Sequence, residues 1–382
     1  MNRPSHPALL SLALHFTVAR PARSLGPGRS RPDFVRPIGR GRLLALSPLA
    51  SAAPAQPATA MPGRRSSKIP LILGGGCLGG LLLCLVAGAI VYLSGALAGP
   101  SVKADAFAAF APDGSRIAFS SRRKGNEDIF DMNANGTNLR QLTSDRLALL
   151  APGINNYADY APAWSPDGKQ IAFTTARNNA ALSYVEWDVY VMNADGSNPH
   201  RFMSRAAEPA WSPDDQWIAY ASTGRYTDIY TSPAGGGSGG GAVTQFGNAA
   251  VASPDWSPDG KRIVFAKNGS GSDVSEIYVV GADGSGLTQL TTLNARSAEP
   301  DWSPDGRKIA FHSNYRGSAN IFTMNPDGTE LANLTNYLGD NSSPAWSPDS
   351  RRIIFSSSRQ GEGQLLLFVM GADGSNVVQL TK

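Results

Sequence analysis

The chain has 382 residues, 42% of them hydrophobic and only 17% charged, with 41 Gly and 27 Pro. That turn-rich composition fits β architecture better than helical architecture. Two cysteines exclude a disulfide framework, and four histidines argue against a His-rich metal site. The formal net charge of +4 hides a split: residues 1–100 hold eleven Lys/Arg and one acid, whereas residues 101–382 hold 23 basic and 29 acidic residues. The basic excess belongs to the N-terminal part, so overall charge gives no support for nucleic-acid binding.

Residues 1–68 are rich in Pro, Arg, Ala and Ser. They contain too few large apolar side chains to offset chain entropy, so a disordered basic tail is expected. Two other readings stay open: an Arg-rich transit-type leader, or translation starting at Met61. Residues 69–98, IPLILGGGCLGGLLLCLVAGAIVYLSGALA, carry no charge. A helix needs about 20 apolar residues to cross a bilayer, so this segment predicts a single transmembrane helix. Arg64, Arg65 and Lys68 precede it. The positive-inside rule then places the N-terminus in the cytoplasm and the rest outside, in the periplasm or at the cell surface. The rival is a signal peptide cleaved after Ala98, although a signal core is usually about 7–15 residues. Cys77 and Cys84 read as small packing residues. Gly75/Gly79 and Gly76/Gly80 have the small-xxx-small spacing that permits weak dimerisation through the span.

From about residue 105 the chain repeats itself. The recurring unit is an aromatic residue followed by Ser-Pro-Asp-Gly or a close variant, at Phe110, Trp164, Trp211, Trp256, Trp302 and Trp346, with spacings of 54, 47, 45, 46 and 44. A 40–50-residue period with several short strands per unit is the sequence signature of a propeller. Strand A ends at the aromatic residue. Ser-Pro-Asp-Gly forms a type I turn, and Asp215 and Ser350, which replace its Gly, predict slightly weaker turns. Strand B is an apolar run such as RIAFSS or KIAFHS; strand C resembles DIFDMN or NIFTMN. An Asn-Gly or Asp-Gly turn follows in five units, and a short strand D ends in Leu-Thr in four. The expectation is an all-β, six-bladed propeller of four-stranded blades over 105–382, in phase at both ends.

These repeats resemble the WD-like β-propeller repeats of the TolB family, and also the propeller domains of the prolyl oligopeptidase and dipeptidyl peptidase group. The resemblance implies a propeller that binds proteins or peptides, sometimes beside a hydrolase domain.

Catalytic motifs dissolve on inspection. Gly236-Gly-Ser238-Gly-Gly240 matches a nucleophile elbow in letters, but it lies in a glycine run without the strand and helix an elbow requires. Asp131-x-Asn133-x-Asn135-Gly136 resembles half an EF-hand loop, with Leu142 where a bidentate Glu is needed. His200 and His312 fall in different blades. No metal or cofactor site is expected.

The B–C and D–A loops share one face. The two longest insertions, 144–160 and 177–187, emerge there and carry Tyr157, Tyr160, Tyr184 and Trp187. Every B–C loop also holds a cation: Arg122, Arg123 and Lys124, then Arg177, Arg225, Lys267, Arg316 and Arg359. These cations either form an anion-preferring rim or pair locally with Glu127, Asp128, Asp228, Asp273 and Glu276. Glu208, Asp255, Glu299 and Asp301 lie on inner strands and are candidates to edge the axial channel. The expected function is a membrane-anchored, extracytoplasmic, non-catalytic module for a protein or peptide partner. The alternative is the propeller component of an enzyme system, peptidase-associated or carbohydrate lyase-like.

Overall fold

A computed structural model describes residues 104–144, 158–175, 187–223, 227–237, 239–247, 249–269, 273–336, 338–361 and 364–382. The tail, the apolar segment 69–98 and most of both long insertions lie outside the described residues. Among the described residues no helix is long and apolar enough to cross a membrane.

Among the described residues, twenty-four strands form six four-stranded antiparallel sheets, each in the order A-B-C-D. Blade 1 consists of β1 (Asp105–Phe110), β2 (Arg116–Lys124), β3 (Asn126–Asn133) and β4 (Arg140–Gln141). The inner strands of the other blades are β5 (Asp159–Trp164), β9 (Ala206–Trp211), β13 (Val251–Trp256), β17 (Ser297–Trp302) and β21 (Asn341–Trp346). Each inner strand contacts the next, and β21 contacts β1, which closes the ring. The closing seam uses the same main-chain bond as other seams. Asp105 N–H donates to Leu365 O at 2.9 Å, as Ala206 donates to Trp187 and Asn341 to Ala319. Closure therefore needs no exchanged strand, as the in-phase repeat predicts.

Strand B explains why the apolar runs are continuous rather than alternating. Both faces of a blade are covered by neighbours, so Ile117, Ala118 and Phe119, and their counterparts Ile309, Ala310 and Phe311, are wholly buried. All six blades place an aromatic residue of strand B opposite one of strand C, from Phe119↔Phe130 to Phe355↔Phe368, with ring centroids 5.8–6.1 Å apart. Such cross-strand pairs are the unit of sheet stabilisation.

The turns form as expected. Asp215 and Ser350 adopt φ of 63° and 57°, close to the 71° of Gly114 and Gly168. Each also gains a bond that glycine lacks: Asp215 Oδ2 accepts Asp167 N–H at 3.1 Å, and Ser350 Oγ accepts Asp305 N–H at 3.0 Å, both in the preceding blade. One expectation needs adjustment. Leu-Thr follows strand D rather than ending it, because the threonine hydroxyl takes over a strand-C donor: Thr143 Oγ1 accepts Ile129 N–H at 2.9 Å, and Thr291 does the same for Ile277.

Every inner strand bulges at its third residue. Phe107, Ala161, Glu208, Ser253, Glu299 and Ser343 all have φ between 49° and 56°. The third and fourth residues drop out of the ladder with strand B, so the proline that fills the fourth position in five blades costs no hydrogen bond.

Candidate functional site

The bulges turn the inner wall into a set of inter-blade bonds. In blades 3, 4 and 6 the N–H of the third residue donates to a side chain of the blade before it, Glu208 N–H to Thr174 Oγ1 at 2.7 Å being the first. Glu208 Oε2 accepts Ser253 N–H at 2.5 Å, and Glu299 Oε2 accepts Ser343 N–H at 2.6 Å. Asp255 Oδ2 accepts Trp302 N–H at 2.7 Å, and Asp301 Oδ2 accepts Trp346 N–H at 2.7 Å. All four carboxylates therefore lie on the inner wall and brace blades 3 to 6. His312 Nδ1 lies 2.9 Å from Glu299 Oε2.

These carboxylates are enclosed but not dry: neighbours surround them, yet each keeps part of its surface exposed. Burial raises the Asp255 carboxyl to about 7, and Trp302 and Trp256 N–H bonds only partly oppose it. Burial raises Asp301 well above the usual range, and the Asp255 charge raises it further. Burial also raises Glu208, with Glu299 adding to it. At Glu299 the same burial effect is outweighed by His312 and by the Ser343 bonds, which leave it below its ordinary value.

The other half of the wall is aromatic. The Phe107 and Tyr160 ring centroids are 5.5 Å apart, and Tyr160 meets Trp187 edge-on at 5.3 Å and 89°. Phe107 and Tyr160 stand near the start of strand A, and Trp187 immediately precedes β7 (Asp188–Asn193). The cluster thus occupies the B–C and D–A end of the wall. Burial pushes the Tyr160 phenol well above its usual range, and the Glu208 and Glu127 charges push it further. Phe107 was not legible as a site residue. Its only signal is a bulky ring at a repeat position filled elsewhere by Ala, Glu or Ser.

The rim cations are largely engaged within their own blades. Arg123 gives two bonds to Asp105, at 2.8 and 2.7 Å, and its guanidinium lies 5.2 and 5.3 Å over Phe119 and Phe130. Arg359 lies 4.9 Å over both Phe355 and Phe368 and bonds Asn341 Oδ1 at 3.2 Å. Lys267 lies 5.0 Å over Phe246 and 5.1 Å over Tyr278. Arg122 pairs with Glu127 at 3.0 Å, as local pairing predicts. Arg316 is exposed beside Tyr315, 4.9 Å over its ring. Asp228 and Glu276 serve other bonds: Asp228 accepts from the Thr244 hydroxyl and Phe246 N–H, Glu276 from the Thr291 hydroxyl and Asn294 N–H. Tyr157, Arg177, Tyr184 and Arg225 lie outside the described residues.

Asp131, the first residue of the EF-hand-like stretch, is fully buried and paired with Arg116 and Arg140. That is a structural ion pair. Among the described residues no group of three or more His, Cys, Asp or Glu is placed to hold a metal ion.

A family model for the TolB beta propeller domain matches residues 150–271 and 238–335. A structure assigned as a TolB from Agrobacterium tumefaciens aligns at TM-score 0.52 and 25% identity, over 64% of this chain and 84% of that one. TolB from Acinetobacter baumannii aligns at TM-score 0.56 and 20% identity, over 78% of this chain and 68% of that one. The tricorn protease aligns at TM-score 0.53 and 16% identity, over 74% of this chain but 26% of the protease. The last two likenesses establish the fold alone.

Proposed function

We propose that this TolB-type six-bladed propeller is an extracytoplasmic, non-catalytic binding module, tethered by residues 69–98, that takes a protein or peptide partner on its B–C and D–A face. The observation that carries this reading is the Phe107–Tyr160–Trp187 cluster. It joins the inner wall to the rim from which both long insertions emerge. Aromatic side chains that present large area at low entropy cost are the usual anchors of an interface. The aromatic half faces a wall half that carries Glu208 and Glu299, so the mouth combines an apolar anchor with acceptors. Arg316 and Lys124, exposed and without a carboxylate bond among the described residues, are the cations left to favour an anionic partner segment.

The test is partner capture with the full chain in detergent, immobilised and exposed to solubilised envelope extract. A second column carries Trp187→Ala with Arg316→Glu. A protein held by the first and lost from the second supports the reading. Retention that is equal on both columns removes this face as the site, and retention on neither removes the binding role.

A further inference from the structure

The six repeats act as controls for one another, so departures from the pattern that meet in space need a reason other than the fold. Two such departures meet between blades 3 and 4, on the turn face opposite the rim described above. The first is Trp217. In the other blades the residue before the first isoleucine of strand B is Arg116, Gln170, Arg262, Lys308 or Arg352. The arginines lie over the ring that ends the next inner strand: Arg116 over Trp164 at 5.7 Å, Arg262 over Trp302 at 4.7 Å, and Arg352 over Phe110 at 5.8 Å. In blade 3 an indole stands there, half-buried, in the same apolar cluster as Trp256.

The second departure is the glycine run after β11 (Ile229–Pro233). In the other five blades the C–D glycine is pressed against the preceding blade; a Cβ on Gly328 would lie 2.6 Å from Leu290 O. In blade 3, Gly236 has nothing within 4 Å. Further along the run Gly239, beside Pro233, lines the outer surface between blades 3 and 4.

The seam between blades 3 and 4 holds a cleft of about 340 Å³ lined by Ser212, Asp214, Trp217, Thr231, Gly239 and Trp256, among others; the equivalent cleft between blades 4 and 5 is larger but has Arg262 where this one has an indole. The size of the blade 3–4 cleft suits one or two sugar rings, at the lower end of ligand sites. Its chemistry is amphipathic in the way a pyranose is. The indole offers a flat apolar platform for the C–H face of a ring. Asp214 Oδ1 is used by Ser212 and Gln216, but Oδ2 takes no bond among the described residues and can accept from ring hydroxyls. Thr231 adds a hydroxyl. The Ser212 hydroxyl lowers the Asp214 pKa, so the carboxylate is charged at neutral pH and repels an acidic sugar.

We propose that this cleft is a carbohydrate site that seats one ring of a neutral oligosaccharide on Trp217. The experiment uses the full chain in a detergent without a sugar headgroup. Cellohexaose, maltohexaose, chitohexaose and a galacturonate hexamer are titrated by calorimetry, up to about 10 mM. At least one neutral probe should bind and the galacturonate hexamer should not. Trp217→Arg restores the residue of blades 1, 4 and 6, so the propeller should melt as before while affinity falls at least about tenfold. Asp214→Asn keeps the Gln216 acceptor and should narrow the gap between neutral and acidic probes. Binding unaffected by Trp217→Arg, equal binding of the acidic probe, or no neutral probe bound would each overturn the proposal. Those outcomes leave the partner reading intact, because that reading concerns the other face.

Discussion

Asp255→Asn should make the propeller more stable at pH 8 and should flatten its pH dependence. The folded-state carboxyl titrates near 7, against an ordinary 3.8. A raised carboxyl favours the fold while it is protonated. That contribution is fully present below about pH 4 and is lost as pH rises through about 7. The difference corresponds to about 4 kcal/mol if the group were dry. Asp255 is only partly buried, so screening reduces the expected gain to between about 1 and 4 kcal/mol. Asparagine never ionises, yet its Oδ1 still accepts the Trp302 N–H that braces blade 4 to blade 5. For a domain of this length the gain corresponds to a melting shift of about 2–7 °C at pH 8. The assay is thermal unfolding of the detergent-solubilised chain at pH 4, 6 and 8, followed by near-ultraviolet circular dichroism. Wild type should lose stability between pH 4 and 7, and the variant should lose less. A variant that declines in parallel with wild type, or that is less stable at pH 8, would refute a protonated Asp255 on the inner wall.

Gly328→Ala should cost at least about 3 kcal/mol, combining a positive φ with backbone overlap, and Gly236→Ala only about 1–2 kcal/mol, since it meets nothing. Equal melting losses for the two would contradict the blade-to-blade contact assigned to the C–D turn. Asp131→Ala should cost about 3 kcal/mol by leaving Arg116 without its buried partner, and Asp131→Asn should recover part of it; denaturant midpoints measure both. Thr335→Val should cost about 1–3 kcal/mol, because it strands the buried Ile321 N–H that the hydroxyl accepts at 3.1 Å. Hydrogen exchange at Ile321 should accelerate in that variant, and an unchanged rate would show that the threonine is not the acceptor.

The repeat made most of the fold legible. Pro and Gly punctuation, aromatic strand ends and apolar B strands are local preferences, and six copies in phase left little choice but a closed ring. The proposed partner-binding face followed from loop lengths, because strand count alone decides which rim a loop leaves from. The fate of the rim cations did not follow. Whether Arg123 or Arg359 faces a partner or an aromatic pair depends on which side of the sheet its side chain crosses, and on Asp105 and Asn341 from another strand. The carboxylates were legible only as residents of inner strands. Their bonds to Ser253 and Ser343 depend on a bulge that frees the third N–H of the inner strand, and those to Trp302 and Trp346 on the rotation between blades. Trp217 and the glycine run of blade 3 are plain in the sequence as two unrelated irregularities, some twenty residues apart. Strand pairing inside blade 3 sets Trp217 opposite Pro233, beside that run; only the packing of blade 4 against blade 3 adds Trp256 and makes a cleft of them, because side-chain neighbours across a seam are set by tertiary geometry and not by position along the chain.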